Sequence, residues 1–154
     1  ARFERELRIR KQQEALKTKS FKALKGQLPW PADGRIIAKF GRQWNSKLKT
    51  TTENPGIDIK GQPGSAIRTV LGGVVTTITY IRGYGTTIIV DHGGGFYTVY
   101  SHVTNIQTVV DGQVRNGDVI AYMGDSGSIN GSKLHFEIWG KGQKLDPEKW
   151  LIKK

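Results

Sequence analysis

Short runs of alternating apolar and polar residues, most of them closed by a glycine, fill the chain from residue 35 onward. Such runs predict β-strands joined by tight turns, and 20 glycines in 154 residues provide many turn positions. The Asn116–Gly117 pair lies between alternating residues and predicts a hairpin. A polar stretch from Gln43 to Glu53 breaks the pattern and is expected to be a loop. The predicted strands are RIIAKFG, GIDIK, SAIRTV, GVVTTITYIRG, GTTIIVDHG, GFYTVYSHV and, as the last strand, KLHFEIWGKG, followed by a short turn or helix in DPEKWL.

The beginning of the chain has a different composition. Residues 1–26 are rich in Arg, Lys, Glu and Gln and contain no Gly or Pro before Gly26, which predicts an N-terminal α-helix that ends at that glycine. Its sparse apolar residues fit either a solvated helix or the end of a coiled coil. Two prolines around Trp30 then end the helical pattern. We therefore divide the chain into a helical leader, 1–26, and one antiparallel β domain, 27–154.

The formal charge of +11 is spread over both parts. Nine Lys and Arg against three Glu give residues 1–25 a charge of +6, and the remainder carries +5. This balance favours anionic partners such as cell-wall polymers or lipid headgroups. No base-reading motif accompanies it, so nucleic acid is not an expected partner. The absence of cysteine excludes disulfides, and no apolar run approaches the length of a membrane span.

The segment KLHFE, residues 133–137, contains the residues most suggestive of chemistry. Leu134 and Phe136 are expected to face the core, which places His135 on the opposite side of the strand. In NPGID, residues 54–58, Asp58 offers an oxygen that suits zinc, as the His135 imidazole offers a nitrogen. His102 ends another predicted strand and is expected at the edge of a cleft.

The order of the motifs carries a family resemblance. A WPxxG…FG entry is followed by GIDI, by GYG…VDHGGG…TVYSH, by a VxxGxxI turn and by LHFEI. In this order they resemble the LytM, or lysostaphin-type, zinc endopeptidase domain, which cleaves peptide cross-links in peptidoglycan. The resemblance covers Leu28 to Leu151 and implies a barrel-like antiparallel β fold. The helical leader further resembles the EnvC-like branch, in which a coiled coil precedes the LytM domain.

The resemblance also implies a degenerate site. Asp58 and His135 occupy two of the three zinc-ligand positions, whereas Asn54 stands in place of the ligand histidine. His102 keeps one catalytic position, and Lys133 replaces the other catalytic histidine. A catalytic zinc normally has three protein ligands, and an ammonium beside it is repulsive. We therefore expect the metal site and the catalytic position to be vestigial, no cofactor to be required, and Lys133 to form an ion pair with Asp58.

Two residues near these positions are candidate replacement ligands. Glu53 adjoins Asn54, but its side chain points to the opposite face of an extended strand. His92, in VDHGGG, matches a family position without a catalytic role. If either residue completed the ligand set, the domain would be a zinc-dependent endopeptidase.

The EnvC-like resemblance implies a non-catalytic regulator that activates a periplasmic peptidoglycan amidase during bacterial cell division. Its coiled coil would connect it to an FtsEX-type membrane complex. The partner groove implied for the amidase is the former active site, with Asn54, Asp58, His102, Lys133 and His135. The alternatives are the zinc endopeptidase with rearranged ligands and a peptidoglycan-binding module that uses exposed aromatic residues such as Trp44.

Overall fold

The structure is a computed structural model that describes residues 21–124 and 131–154. Residues 21–23 are helical, and the rest of the described chain consists of strands, turns and one short 3-10 helix. The strands are β1 (Arg35–Ala38), β2 (Gly41–Asn45), β3 (Thr50–Asn54), β4 (Ile57–Lys60), β5 (Ala66–Arg68), β6 (Gly73–Ile81), β7 (Gly85–Gly93), β8 (Phe96–Ser101), β9 (Val103–Thr104), β10 (Gln113–Val114), β11 (Val119–Met123), β12 (Lys133–Gly140) and β13 (Gln143–Leu145), and the 3-10 helix is Pro147–Lys149.

Three antiparallel sheets contain these strands. The largest has the order β1-β4-β12-β8-β7-β6-β10, and β13 pairs with the far end of β12. A second sheet has the order β5-β11-β9, and β2 pairs with β3. Side chains from the first two sheets form one hydrophobic core. The prediction of a mainly antiparallel β fold is confirmed.

The central strand β12 shows how the sequence separates core from site. Leu134, Phe136 and Ile138 are fully buried in the core, as their alternation predicts. The intervening side chains lie on the other face of the sheet, where His135 and Glu137 are also buried. A strand buried on both faces therefore presents its polar residues to a protected surface and not to open solvent.

The stretch from Gln43 to Glu53 is not a loop, which corrects the sequence-based expectation. It forms most of a hairpin, β2–β3, in which Trp44 pairs with Thr51 and Arg42 with Glu53. Every residue from 42 to 53 is exposed. Because neither face packs on the core, the alternation of apolar and polar residues that reveals most strands is absent here.

Two further expectations about turns are wrong. Asn116–Gly117 does form a turn, but its flanking strands belong to different sheets, because β10 pairs with β6 and β11 pairs with β5 and β9. The Asn116 side chain instead accepts a hydrogen bond from the Gly72 N–H at 2.6 Å.

In addition, β12 is not the last strand. Lys141 and Gly142 both have positive φ, 55° and 79°, as a tight hairpin turn requires, and β13 follows them.

The described end of the leader packs into the β domain. Phe21 is fully buried, and its ring lies 4.9 Å from that of Phe96 and 5.3 Å from that of Trp150. Trp30 donates from its indole nitrogen to the Ile152 carbonyl at 2.7 Å, which ties the proline-rich boundary to the end of the chain. Residues 1–20, with the predicted coiled coil, lie outside the described residues, and the division at residue 26 remains a prediction. Among the described residues, no helix has the length and apolar character needed to cross a membrane.

Candidate functional site

The register of the large sheet brings the predicted site residues together. His135 on β12 lies directly opposite Asp58 on β4 and, on its other side, opposite Ser101 on β8. Directly opposed residues in an antiparallel pair have neighbouring side chains. Strand pairing thus places Asp58 beside His135, although 77 positions separate them in the chain.

Asp58 is shared between two basic side chains. Its Oδ2 lies 3.1 Å from Lys133 Nζ, and its Oδ1 lies 2.6 Å from His135 Nδ1. The side chains of Lys133 and Asp58 are only 12% and 14% exposed, so this ion pair is largely removed from water. The ion pair predicted between Lys133 and Asp58 is present in the structure.

Glu137 completes the arrangement, and sequence analysis did not find it. Its Oε2 lies 2.8 Å from His135 Nε2, and its Oε1 accepts a hydrogen bond from Trp139 Nε1 at 2.8 Å. Lys144 Nζ, which is exposed, lies 3.8 Å from the same Oε1. The alternation of the strand could have revealed Glu137, because residues 133, 135, 137 and 139 share one face of β12. We call the group Asp58, Lys133, His135 and Glu137 the charge cluster.

The hydrogen bonds determine the protonation of His135. Carboxylate oxygens face both ring nitrogens, and only the imidazolium form donates from both. Burial by itself lowers the pKa of His135, but the hydrogen bonds and charges of Asp58 and Glu137 outweigh burial and raise that pKa above its ordinary value of 6.5. For each carboxylate, burial would raise the pKa, but the contacts with His135, joined by Lys133 at Asp58 and by Trp139 and Lys144 at Glu137, prevail and lower it. The charge cluster therefore pairs two anions with two cations.

His102 lies beside the charge cluster, separated from it by Tyr84. His102 is 2% exposed and has a positive φ of 64°, and its backbone N–H donates to the Tyr84 carbonyl at 2.8 Å. The centre of the Tyr84 ring lies 6.4 Å from that of His102 and 4.8 Å from that of His135. Burial, followed by the negative charges of Glu137 and Asp58, raises the pKa of Tyr84. Sequence analysis missed Tyr84, because nothing local links it to either histidine.

Asn54 is the last residue of β3 and begins the loop that reaches the charge cluster. Its side-chain oxygen accepts a hydrogen bond from the Gly56 N–H at 3.3 Å, so the Asn54 carboxamide shapes its own loop. Gly56 then passes directly over β12. A Cβ atom at Gly56 would lie 2.1 Å from the Phe136 carbonyl oxygen and 2.7 Å from Glu137 Cγ. Only glycine allows this loop to reach the charge cluster.

The two candidate replacement ligands, Glu53 and His92, are not part of the charge cluster. Glu53 is exposed in the hairpin, opposite Arg42. His92 is fully buried, with its ring nitrogens 2.9 Å from the Gly72 carbonyl and 2.7 Å from Thr98 Oγ1. Within residues 21–124 and 131–154, no three His, Asp or Glu side chains are arranged as a metal-binding group.

A model of the peptidase family M23 matches residues 52–147, more than half of the chain. The chain belongs to peptidase family M23. The match includes the five positions predicted to form a partner groove, and the family-level resemblance inferred from the motif order is confirmed.

The relatives of this M23 domain include proteins named as activators. The chain is 32% identical over 129 residues to the murein hydrolase activator EnvC of Escherichia coli, with 84% of this chain and 30% of that protein covered. It is 39% identical over 123 residues to outer membrane antigenic lipoprotein B of Haemophilus influenzae, which covers 79% of this chain and 28% of the relative. The chain thus spans under a third of the length of these curated relatives.

A solved structure shares the fold of the M23 domain. A zinc containing peptidase from Vibrio cholerae superposes with a TM-score of 0.73 at 21% identity, over 84% of this chain and 41% of that one. At this identity the comparison supports the fold alone.

Proposed function

We propose that this M23 domain is a non-catalytic regulator of the bacterial cell envelope that binds and activates a peptidoglycan amidase. The observation that carries the proposal is the state of His135, whose two ring nitrogens both contact carboxylates. A histidine can bind zinc only through the lone pair of a deprotonated nitrogen. Zinc binding here would require His135 to lose a proton and one of its two carboxylate contacts.

The other positions of the site also disfavour zinc. Lys133 Nζ lies 3.1 Å from Asp58 Oδ2, and its ammonium would repel a dication held by that carboxylate. At Asn54 a carboxamide, a weaker ligand than imidazole, is hydrogen-bonded within its own loop. The residues present therefore do not fit a catalytic zinc, and no hydrolytic step is assigned to the domain. Lys133 and His135 supply the positive charge that a metal would bring to Asp58.

The aromatic residues next to the largely buried charge cluster are suited to binding a partner. Tyr84 covers one side of His135, and Trp139 and Tyr97 continue along the same sheet face with ring centres 6.3 Å apart. Aromatic residues beside fixed charges are the side chains that most often contribute binding energy at protein interfaces. The proposed partner is an amidase, because relatives of this chain are named murein hydrolase activators.

The cellular setting is part of the proposal. Relatives named as an outer membrane lipoprotein and as murein hydrolase activators support a place in the bacterial envelope, and we infer the periplasm. A coiled coil that ends in the predicted helical leader, 1–26, would connect the domain to an FtsEX-type membrane complex during division.

The test compares peptidoglycan digestion by an amidase with and without this protein, with the products separated by mass spectrometry. Activation is expected to increase the release of stem peptides from the glycan, whereas the protein alone, with added zinc, releases nothing. Tyr84→Ala removes a groove aromatic and is expected to reduce activation at least about tenfold, since interface aromatics carry about 2 kcal/mol or more. Tyr80→Ala is the matched control, because Tyr80 is 66% exposed on β6. Cleavage of peptide cross-links by the protein alone would instead identify a zinc endopeptidase and overturn the proposal.

A further inference from the structure

Apart from Asn54 at the end of β3, the β2–β3 hairpin contributes no residue to the proposed groove, yet it is well formed. Its strands pair only with each other among the described residues. Two-stranded hairpins without a packed face are marginal in isolation. Here the tip is held by the Asn45 side chain, whose oxygen accepts hydrogen bonds from the backbone N–H groups of Lys47 and Leu48 at 3.0 and 3.1 Å. Lys49 has a left-handed φ of 51°, which closes the turn. A defined tip that contributes no side chain to the core points to a surface role.

The side chains at the tip combine apolar and cationic character. Leu48 is 70% exposed and Trp44 is 64% exposed, which places them among the most exposed large apolar residues described. Lys47 and Lys49 flank Leu48 directly, and no acidic residue occurs between positions 43 and 52. Trp44 sits four residues before Leu48, at the end of the strand that leads to the turn. The tip therefore joins two apolar side chains to an uncompensated charge of +2.

We propose that the tip of this hairpin, residues 44–49, docks onto an anionic phospholipid bilayer. Leu48 and Trp44 enter the boundary between headgroups and acyl chains, and Lys47 and Lys49 contact lipid phosphates. Tryptophan is favoured at this depth of a membrane, and lysines beside it gain from the negative surface potential. The charge of +11 on the whole chain adds long-range attraction to the same surface.

The arrangement fits a bilayer better than the other anionic surfaces of a cell envelope. A sugar-binding surface stacks the glycan on an aromatic ring, and the most exposed apolar residue here is the aliphatic Leu48. The residues that contribute most of the binding energy in a protein interface lie in packed, occluded pockets and not at the end of a projecting turn. A lysine–leucine–lysine tip instead suits a flat boundary with apolar material below and phosphates beside it.

Docking at the tip would also position the groove. Asn54 lies at the base of β3, so the hairpin joins the membrane contact to the loop that carries Asn54 and Gly56. With a rise of about 3.4 Å per residue, β3 would hold the groove roughly 15 Å from the lipid surface. The hairpin would then set the height at which a partner enters the groove.

The test is vesicle co-sedimentation of the full chain, including residues 1–20, so that the charge of the leader is equal in all variants. Vesicles of phosphatidylethanolamine with phosphatidylglycerol are compared with phosphatidylcholine alone. Lys47→Ala is expected to weaken partitioning about fivefold, since each surface lysine contributes about that factor. Leu48→Ala removes three carbons, each worth about fourfold when fully buried, and is expected to cost about tenfold at partial depth. Binding should fall as salt is raised.

Matched controls distinguish membrane binding by the tip from nonspecific binding by other exposed apolar residues. Val109→Ala and Tyr80→Ala remove apolar side chains that are 68% and 66% exposed elsewhere on the surface, and should leave partitioning unchanged. Equal binding to both vesicle types, or equal losses in the controls, would overturn the proposal. Loss of binding to purified peptidoglycan in Trp44→Ala, with vesicle binding intact, would identify a glycan ligand instead. Amidase activation on soluble peptidoglycan fragments is expected to survive Leu48→Ala, so failure of the membrane proposal and failure of the groove proposal can be distinguished.

Discussion

Replacing Lys133 by methionine tests whether the ion pair between Lys133 and Asp58 stabilises the fold. Methionine keeps an unbranched apolar side chain of similar length but removes the charge that lies 3.1 Å from Asp58. Breaking a buried ion pair by removing one partner costs about 3–5 kcal/mol when the remaining charge is left unpaired. Asp58 retains its contact with His135 at 2.6 Å. We therefore expect about half of that cost, or roughly 2 kcal/mol, for Lys133→Met.

The measurement is urea unfolding near pH 6, monitored by the fluorescence of the four tryptophans. In a thermal melt of a domain of this size, a loss of about 2 kcal/mol lowers the melting temperature by about 4–8 °C. Lys144→Met is the control. Lys144 also contacts the charge cluster, at 3.8 Å from Glu137, but it is 54% exposed. Exposed ion pairs contribute about 0–1 kcal/mol, so this change should be nearly neutral.

A double-mutant cycle assigns the effect to the ion pair. In an Asp58→Asn background, the charge that Lys133 neutralises is gone, and Lys133→Met should then cost little. We expect an interaction free energy of about 1–2 kcal/mol between the two changes, as is common for residues in direct contact. The reasoning is refuted if Lys133→Met is as mild as the Lys144 control, or if the two effects simply add.

Three other predictions concern pH, packing and zinc. Because the pKa of His135 is raised, its contribution to stability is complete below about pH 6.5 and is lost as pH rises through its folded pKa. The pKa values of Asp58 and Glu137 are lowered, so their contributions are complete above about pH 4.5 and are lost as pH falls through their folded pKa values. Denaturation across pH should thus show greatest stability between these limits, and His135→Gln should remove the alkaline loss. Gly56→Ala should destabilise the fold by about 3 kcal/mol or more in the same assay, since its Cβ would meet the Phe136 carbonyl, and an unchanged midpoint would contradict this. Calorimetry on chelator-treated protein should detect no zinc binding at micromolar concentrations, and tight one-to-one binding would reverse the argument about His135.

The elements predicted correctly are those whose sequence signal is set by the core. Leu134, Phe136 and Ile138 alternate with polar residues because one face of β12 meets the core. The hairpin of residues 41–54 gave no such signal, because both of its faces are exposed. The turn before β13 was missed because Lys141 takes a positive φ that Asn or Gly adopts more readily.

The site was predicted in part for a related physical reason. Asp58 and Lys133 were expected to pair, since the family pattern places them around one metal position, and the strand register brings them into contact. The role of Glu137 depends on the rotamers of its own strand, and that of Tyr84 on the approach of a loop 51 residues before His135. Neither is encoded in a local motif. Long-range register and loop path are therefore what the sequence leaves undetermined.

The polar atoms of the charge cluster are already hydrogen-bonded to one another, which limits the chemistry that the M23 domain can perform. A hydrolytic zinc site keeps an open coordination position and a base with a free lone pair. Here both nitrogens of His135, and oxygens of Asp58 and Glu137, are already used in hydrogen bonds. Among the described residues, the one buried side-chain oxygen or nitrogen without a hydrogen-bond partner is Glu148 Oε1, on the 3-10 helix. The charge cluster therefore presents the proposed partner with a fixed pattern of hydrogen-bonded charges in place of a reactive metal site.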